Sequence, residues 1–280
     1  MLATFVIGLR EGLEAALIIG IIAAFLRQRG GEHLLGRVWA GVALATGLCL
    51  VTAVGLQLVD AKLPQAQQEG LETIVGLAAV GMVSYMIVWM QRHSRSLRAS
   101  LEQVTARAVA SGSARALVGM AFVAVLREGL ETAVFLLATF QASSDRELAS
   151  VGAVLGIGVA AVLGYGLYRG AVHIDLRRFF MATSVVLVLV AAGLVMASLH
   201  AAHNAGWLSV GQEQVLDLRW LVQAGSVQAA LLTGMLGLQA QPRLIEVMGW
   251  LAYVVIAGAF VLWPRTAAAP RRSQRAMAEA

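Results

Sequence analysis

Apolar residues dominate seven stretches of the chain, at 2–26, 37–59, 69–90, 115–140, 150–168, 178–200 and 244–264. Each is close to the roughly 20 residues that a helix needs to cross a bilayer. The pattern predicts an all-α, polytopic membrane protein of seven transmembrane helices. In the first and the fourth span the same polar word breaks the run near its middle. It reads Leu9-Arg10-Glu11-Gly12-Leu13-Glu14 in one and Leu126-Arg127-Glu128-Gly129-Leu130-Glu131 in the other. The segment 201–243 breaks the pattern differently. Within it 226–238 is apolar but too short to span, which predicts a re-entrant or interfacial piece. Counting that piece as an eighth span would put the arginine-rich tail outside.

The loops set the orientation. Arg27, Arg29 and Arg37 follow the first span, and Arg92, Arg95, Arg98, Arg107 and Arg115 follow the third. Arg169, Arg177 and Arg178 follow the fifth, and Arg265, Arg271, Arg272 and Arg275 the seventh. The other loops carry little positive charge. Basic residues mark cytoplasmic loops, so the N-terminus is expected outside and the C-terminus in the cytoplasm. The two motif helices then run in opposite directions. The chain reads as two three-helix repeats of inverted topology, about 1–90 and 115–200, with an external segment 201–243 and a last helix 244–264. Together 1–264 form one transmembrane domain, and 265–280 a basic, disordered cytoplasmic tail. Inverted repeats with a site at their midplane interface recur among transporters.

The motif carries the candidate chemistry. Residues three and four apart share a helix face, so Glu11 points with Glu14 and Glu128 with Glu131. Arg10 and Arg127 sit four residues before Glu14 and Glu131. Charge at membrane depth costs several kcal/mol, on the order of 2.5–3.5 even by lenient scales, and usually marks a pathway or a site. Facing each other, the motifs would offer four carboxylates to a hard multivalent cation, with the arginines limiting repulsion. Gly12 and Gly129 leave room for close helix approach. The plainer alternative is a pair of structural salt bridges, which has little reason to recur at the same depth.

Composition narrows the class. With 59% hydrophobic and 13% charged residues the chain is no ordinary soluble domain. Its +5 net charge lies in the loops, so membrane orientation explains it better than nucleic-acid binding. Cys49 is alone, which leaves no disulfide framework and no thiolate cluster. The first nine residues hold no basic side chain, against a cleaved signal peptide. No phosphate-binding glycine loop appears.

Other polar groups are candidates for metal access. Gln68-Glu69-Gly70-Leu71-Glu72 echoes the motif without its arginine and is expected to open the third helix outside. There Glu69 and Glu72 would either feed the site or simply complement the helix N-terminus. His200 and His203 stand three apart at the external end of the sixth helix, as ligands or as interfacial hydrogen-bonding groups. His33, His93 and His173 read as solvated loop residues. Met82, Met86 and Met90 form a helical stripe with Tyr85 and Trp89, better suited to packing than to a soft ion such as copper(I).

The doubled Arg-Glu-x-x-Glu signature in the first and fourth of seven helices resembles the oxidase-dependent iron permease family, which includes the yeast high-affinity and bacterial Efe-type permeases. The resemblance covers nearly the whole chain. It includes 69–90 with its Trp89-Met90 ending, and Leu231-Leu232-Thr233-Gly234-Met235-Leu236-Gly237 followed by 242–247. Leu238 departs from the family, where an aromatic often follows that last glycine. The resemblance implies iron import across the cytoplasmic (inner) membrane, with Glu11, Glu14, Glu128 and Glu131 as iron ligands. It implies ferric iron handed over by an extracytoplasmic oxidase or iron-binding partner. Iron would be cargo, with no permanently bound cofactor and no enzymatic activity. Competing readings are a broader permease for ferrous iron, lead or manganese, a carboxylate-metal membrane redox protein, and a proton-coupled exporter. The Glu-x-x-His pairing of di-iron bundles is absent from the motifs.

Overall fold

The computed structural model describes residues 1–28, 30, 32–60, 62–93, 114–143, 145–169, 175–211, 213–214, 217–218, 220, 232–233, 236–238 and 241–262. The basic tail 265–280, His173, most of the arginine-rich loop after the third span and most of 226–238 lie outside them. The described residues are helical. The helices are α1 (Leu2–Gln28), α2 (Leu35–Asp60), α3 (Gln65–His93), α4 (Ala114–Gln141), α5 (Arg146–Tyr168), α6 (Leu176–Asn204) and α7 (Leu244–Leu262). One turn of 3-10 helix, Glu32–Leu34, precedes α2. A lone antiparallel bridge joins Gln214 to Arg243.

Five of these helices are long and apolar enough to cross a membrane: α2, α3, α5, α6 and α7. The other two, α1 and α4, are as long but carry the motif's three charges in their middle. Their length fits a span and their charge needs a reason. Inside the helices, hydroxyls bond to the carbonyl one turn back, as Thr132 does to Glu128 (2.7 Å) and Thr139 to Phe135 (2.6 Å). That satisfies polar atoms where water is scarce. Asp145 and Asp175 cap α5 and α6, accepting the backbone N–H of Leu148 at 3.0 Å and of Arg178 at 3.3 Å.

Packing pairs α1 with α5, α2 with α4, and α3 with α6, while α1 also lies against α4 and α7 against α6. Small residues let α1 and α5 approach closely. A side chain built on Gly8 would meet the carbonyl of Ala153, and one on Gly12 the Ala160 Cβ at 2.8 Å. The matching numbers make α1 and α5 parallel. On α4, Gly129 faces the Cys49 sulfur of α2, whose thiol points at the Leu126 carbonyl, 3.6 Å away. Against α4, α1 is antiparallel. Ala3 and Ile7 join one buried apolar cluster with Phe135 and Ala138, whereas Ile22 and Leu26 join another with Ala121. Both motifs fall between these clusters. We call the two ends of the bundle the Asp60 end and the Arg27 end.

Two expectations shift. The third helix begins at Gln65, so Glu69 lies past its first turn, which holds no acid. The pull of the helix N-terminus fades within that turn, and the capping explanation for Glu69 and Glu72 loses its ground. The sixth helix runs on to Asn204, so His200 and His203 stand within it. The methionine stripe is partly core: Met86 is buried, Met82 packs against the main cluster, and Tyr85 is exposed.

The described part of 226–238 reaches deep. The Leu236–Gly237 backbone lies against Gly193 of α6, so close that a Cβ on Gly193 would meet Gly237 N at 2.8 Å. Gly193 is eleven residues before the end of α6, or about 16 Å at 1.5 Å per residue. Trp250 Nε1–H donates to the Leu236 carbonyl at 2.9 Å, and Gly237 sits at φ +65°. The described residues of this segment thus pack against the middle of α6.

Candidate metal site

The motif arrives by helical spacing on both helices of the pair. Glu11 on α1 and Glu128 and Glu131 on α4 each bring a carboxylate oxygen within 4.8 Å of the others. Arg10, Glu11, Glu14 and Glu128 are buried, Arg10 completely. Glu14 stands beside the three and pairs with Arg10, whose Nε lies 3.4 Å from Glu14 Oε1. On the other helix Arg127 Nε–H donates to Glu131 Oε1 at 2.9 Å. Arg127 is half exposed and also lies over the Trp89 ring, 5.7 Å from its centroid. The two arginines are therefore not equivalent. One is sealed in the bundle and the other sits at its edge.

Several buried polar atoms at this point have no hydrogen-bond partner among the described residues. They include both carboxylate oxygens of Glu11, Glu128 Oε2 and the Arg10 guanidinium nitrogens. Buried polar groups nearly always find partners. Carboxylate oxygens converging from two helices form a donor set for a cation. They are hard donors, suited to ions that prefer oxygen.

The secondary candidates divide. Glu69, Glu72 and His200 line one cavity at the Asp60 end, between α3, α4 and α6. His203 is turned away and bonds to the Leu208 carbonyl through Nδ1 at 2.9 Å. Two residues the sequence does not single out belong to the same region. Gln141 lines the cavity and donates from Nε2 to Asp60 Oδ1 at 3.3 Å. Glu246, fully buried near the start of α7, pairs with His200 and accepts the Arg243 backbone N–H at 3.0 Å. Its sequence signal is a single acid opening an apolar helix, which ordinarily reads as a cap.

A bundle of membrane-length helices with a carboxylate cluster at its middle has the build of a multi-pass membrane transporter. The chain belongs to the Iron permease FTR1 family, which matches residues 1–275. It is 40% identical over 277 residues to the Ferrous iron permease EfeU of Escherichia coli O6:K15:H31 (strain 536 / UPEC), covering 98% of this chain and 100% of that one. It is 39% identical over 271 residues to the Ferrous iron permease EfeU of Yersinia pestis, covering 96% of each. No solved structure matches the chain. Iron transport by a multi-pass membrane permease is thus the function of the family to which this chain belongs.

Proposed function

We propose that this chain imports iron across the cytoplasmic membrane through a site built from Glu11, Glu128 and Glu131, with Glu14 completing it. The observation that carries the reading is the convergence of three carboxylates within 4.8 Å, from two antiparallel helices, midway along both. Arg10 holds Glu14 and offsets charge from within. Arg127 holds Glu131 when no ion is bound, and the Trp89 face gives it a second seat when Glu131 turns to the metal.

In this reading all seven helices span, and 1–264 form one domain with a cytoplasmic tail at 265–280. The Asp60 end faces out, as the placement of basic loops requires. Two inverted repeats are supported by the packing: α1 lies on α5 as α4 lies on α2, while α3 meets α6 and α1 meets α4. Every one of these contacts maps onto itself or another when the first three helices exchange with the next three.

The donor set favours ferric iron, a hard cation that precipitates in neutral water and so calls for direct handover by an extracytoplasmic oxidase or iron-binding partner. A second reading is favoured by the names of the relatives, which are ferrous iron permeases; there the site takes ferrous iron directly. Uptake of radioactive iron into reconstituted vesicles, with and without reductant and against unlabelled lead or manganese, separates the two. Loss of uptake in Glu11→Gln, Glu128→Gln and Glu131→Gln at normal protein levels is expected. Near-normal uptake in any two of them would refute the site.

A further inference from the structure

The cavity at the Asp60 end plays no part in the carboxylate cluster, yet it is built like a binding site. Its volume is about 130 Å³, and Glu69, Glu72, Gln141, Ser198 and His200 are among its walls. We propose that this vestibule is a second cation site, which receives a partly hydrated iron ion on His200 Nε2 and the carboxylates of Glu69 and Glu72. Glu246 is its positioning residue. The site rests on the import reading only for its place upstream of the central carboxylates.

The imidazole carries the argument. His200 Nδ1 lies 2.9 Å from Glu246 Oε1, and the other oxygen of Glu246 is already taken by the Arg243 N–H. With that buried carboxylate accepting, a neutral ring carries its proton on Nδ1. That leaves the Nε2 lone pair free on a ring that lines the cavity. Metal-ligating histidines almost always have this second partner, which fixes tautomer and orientation. A structural clamp between α6 and α7 would need the same hydrogen bond but no cavity beside it.

Two further groups point to a ligand. Ser198 is 3% exposed, and its Oγ has no hydrogen-bond partner among the described residues although it lines the cavity. Gln141 Oε1 is likewise buried and unpartnered. Both are unsatisfied acceptors in residues that line the cavity. The size agrees, since a water occupies about 30 Å³ of liquid and the cavity has room for roughly four. Among the described residues only Glu11, Glu128 and Glu131 gather three metal-type donors within 4.8 Å. The vestibule donors do not gather that closely, so an ion held there would keep part of its water shell. Stripping would then happen in two stages, with imidazole and carboxylates first and carboxylates alone afterwards.

The test is anaerobic equilibrium dialysis of ferrous iron against the full chain in detergent. The chain with Glu128→Gln and Glu131→Gln should keep one ferrous ion, where the unaltered chain binds two. On that background His200→Ala and Glu72→Gln should each weaken the remaining ion at least tenfold, and Glu246→Gln by about 10–100-fold, the usual effect of losing a ligand's partner. Glu72 makes no hydrogen bond among the described residues, so its variant tests the site without unlinking any helix. Loss of all binding in the Glu128→Gln/Glu131→Gln chain, or a remaining ion indifferent to His200→Ala and Glu72→Gln, overturns the vestibule and leaves the central site standing. Two ions retained in that chain, with one lost to His200→Ala, would instead remove the central site and keep the vestibule.

Discussion

Glu11→Gln separates a metal site from a structural ion pair by the sign of its effect on stability. Glu11, Glu128 and Glu131 lie within 4.8 Å of one another. At an effective dielectric near 20, two charges at that distance repel by about 3.5 kcal/mol. Neutralising Glu11 removes two such repulsions, on the order of 7 kcal/mol of relief in the metal-free protein with all three ionised. The arginines return part of it, and the new amide must find partners of its own. A net gain of even 1 kcal/mol raises a melting midpoint by about 2–4 °C in a chain of 150–250 residues. Were Glu11 instead one half of a buried salt bridge, its loss would cost about 3–5 kcal/mol. The assay is thermal unfolding of metal-free protein in detergent beside iron uptake in vesicles. A rise in midpoint together with lost uptake is expected. A fall of several degrees with uptake retained would refute the reasoning and leave the motif as scaffolding.

Further tests follow from the same geometry. Arg10→Leu leaves Glu14 buried without its partner and should destabilise by about 3–5 kcal/mol, whereas Arg127→Leu, half exposed, should cost under about 1 kcal/mol; equal losses in denaturation would contradict the asymmetry. Phe135→Ala empties a fully buried position and should cost about 3–5 kcal/mol, read as a lower unfolding midpoint; an unchanged midpoint would mean the position repacks. Gly237→Ala, at positive φ and against Gly193, should lower the amount of folded protein in membranes, and normal levels would argue against the re-entrant contact. Reporters active only outside the cytoplasm should work after Asp60, Asp145 or Asn204 and fail after Arg98 or Arg272; activity after Arg272 would undo the orientation.

The sequence made the motif helices legible because charge inside an apolar run is conspicuous and helical spacing fixes which side chains share a face. Glu11 could be placed with Glu14, and Glu128 with Glu131, from that alone. Their partners could not. Nothing in the spacing says that α1 would choose α5 over its neighbour α2, since the choice depends on the small residues Gly8, Gly12, Gly152 and Gly156 meeting the facing helix in the other half of the chain. The unequal burial of Arg10 and Arg127 was hidden too, because the two words are identical and only their neighbours differ. Glu246 escaped notice because an acid at the start of a helix has an ordinary electrostatic role, and its bond to His200 joins residues 46 apart.

Phe135 stands one helical turn outward of Glu131 on α4 and one turn inward of Ala138, which lines the vestibule. It is 1% exposed and packed into the main apolar cluster. On the import reading, an ion passing from the vestibule to the carboxylates along α4 would have to displace this ring. Collective motions of that kind take microseconds to milliseconds. On that reading flux would saturate with iron concentration and rise steeply with temperature, and no standing pore would discharge the membrane voltage.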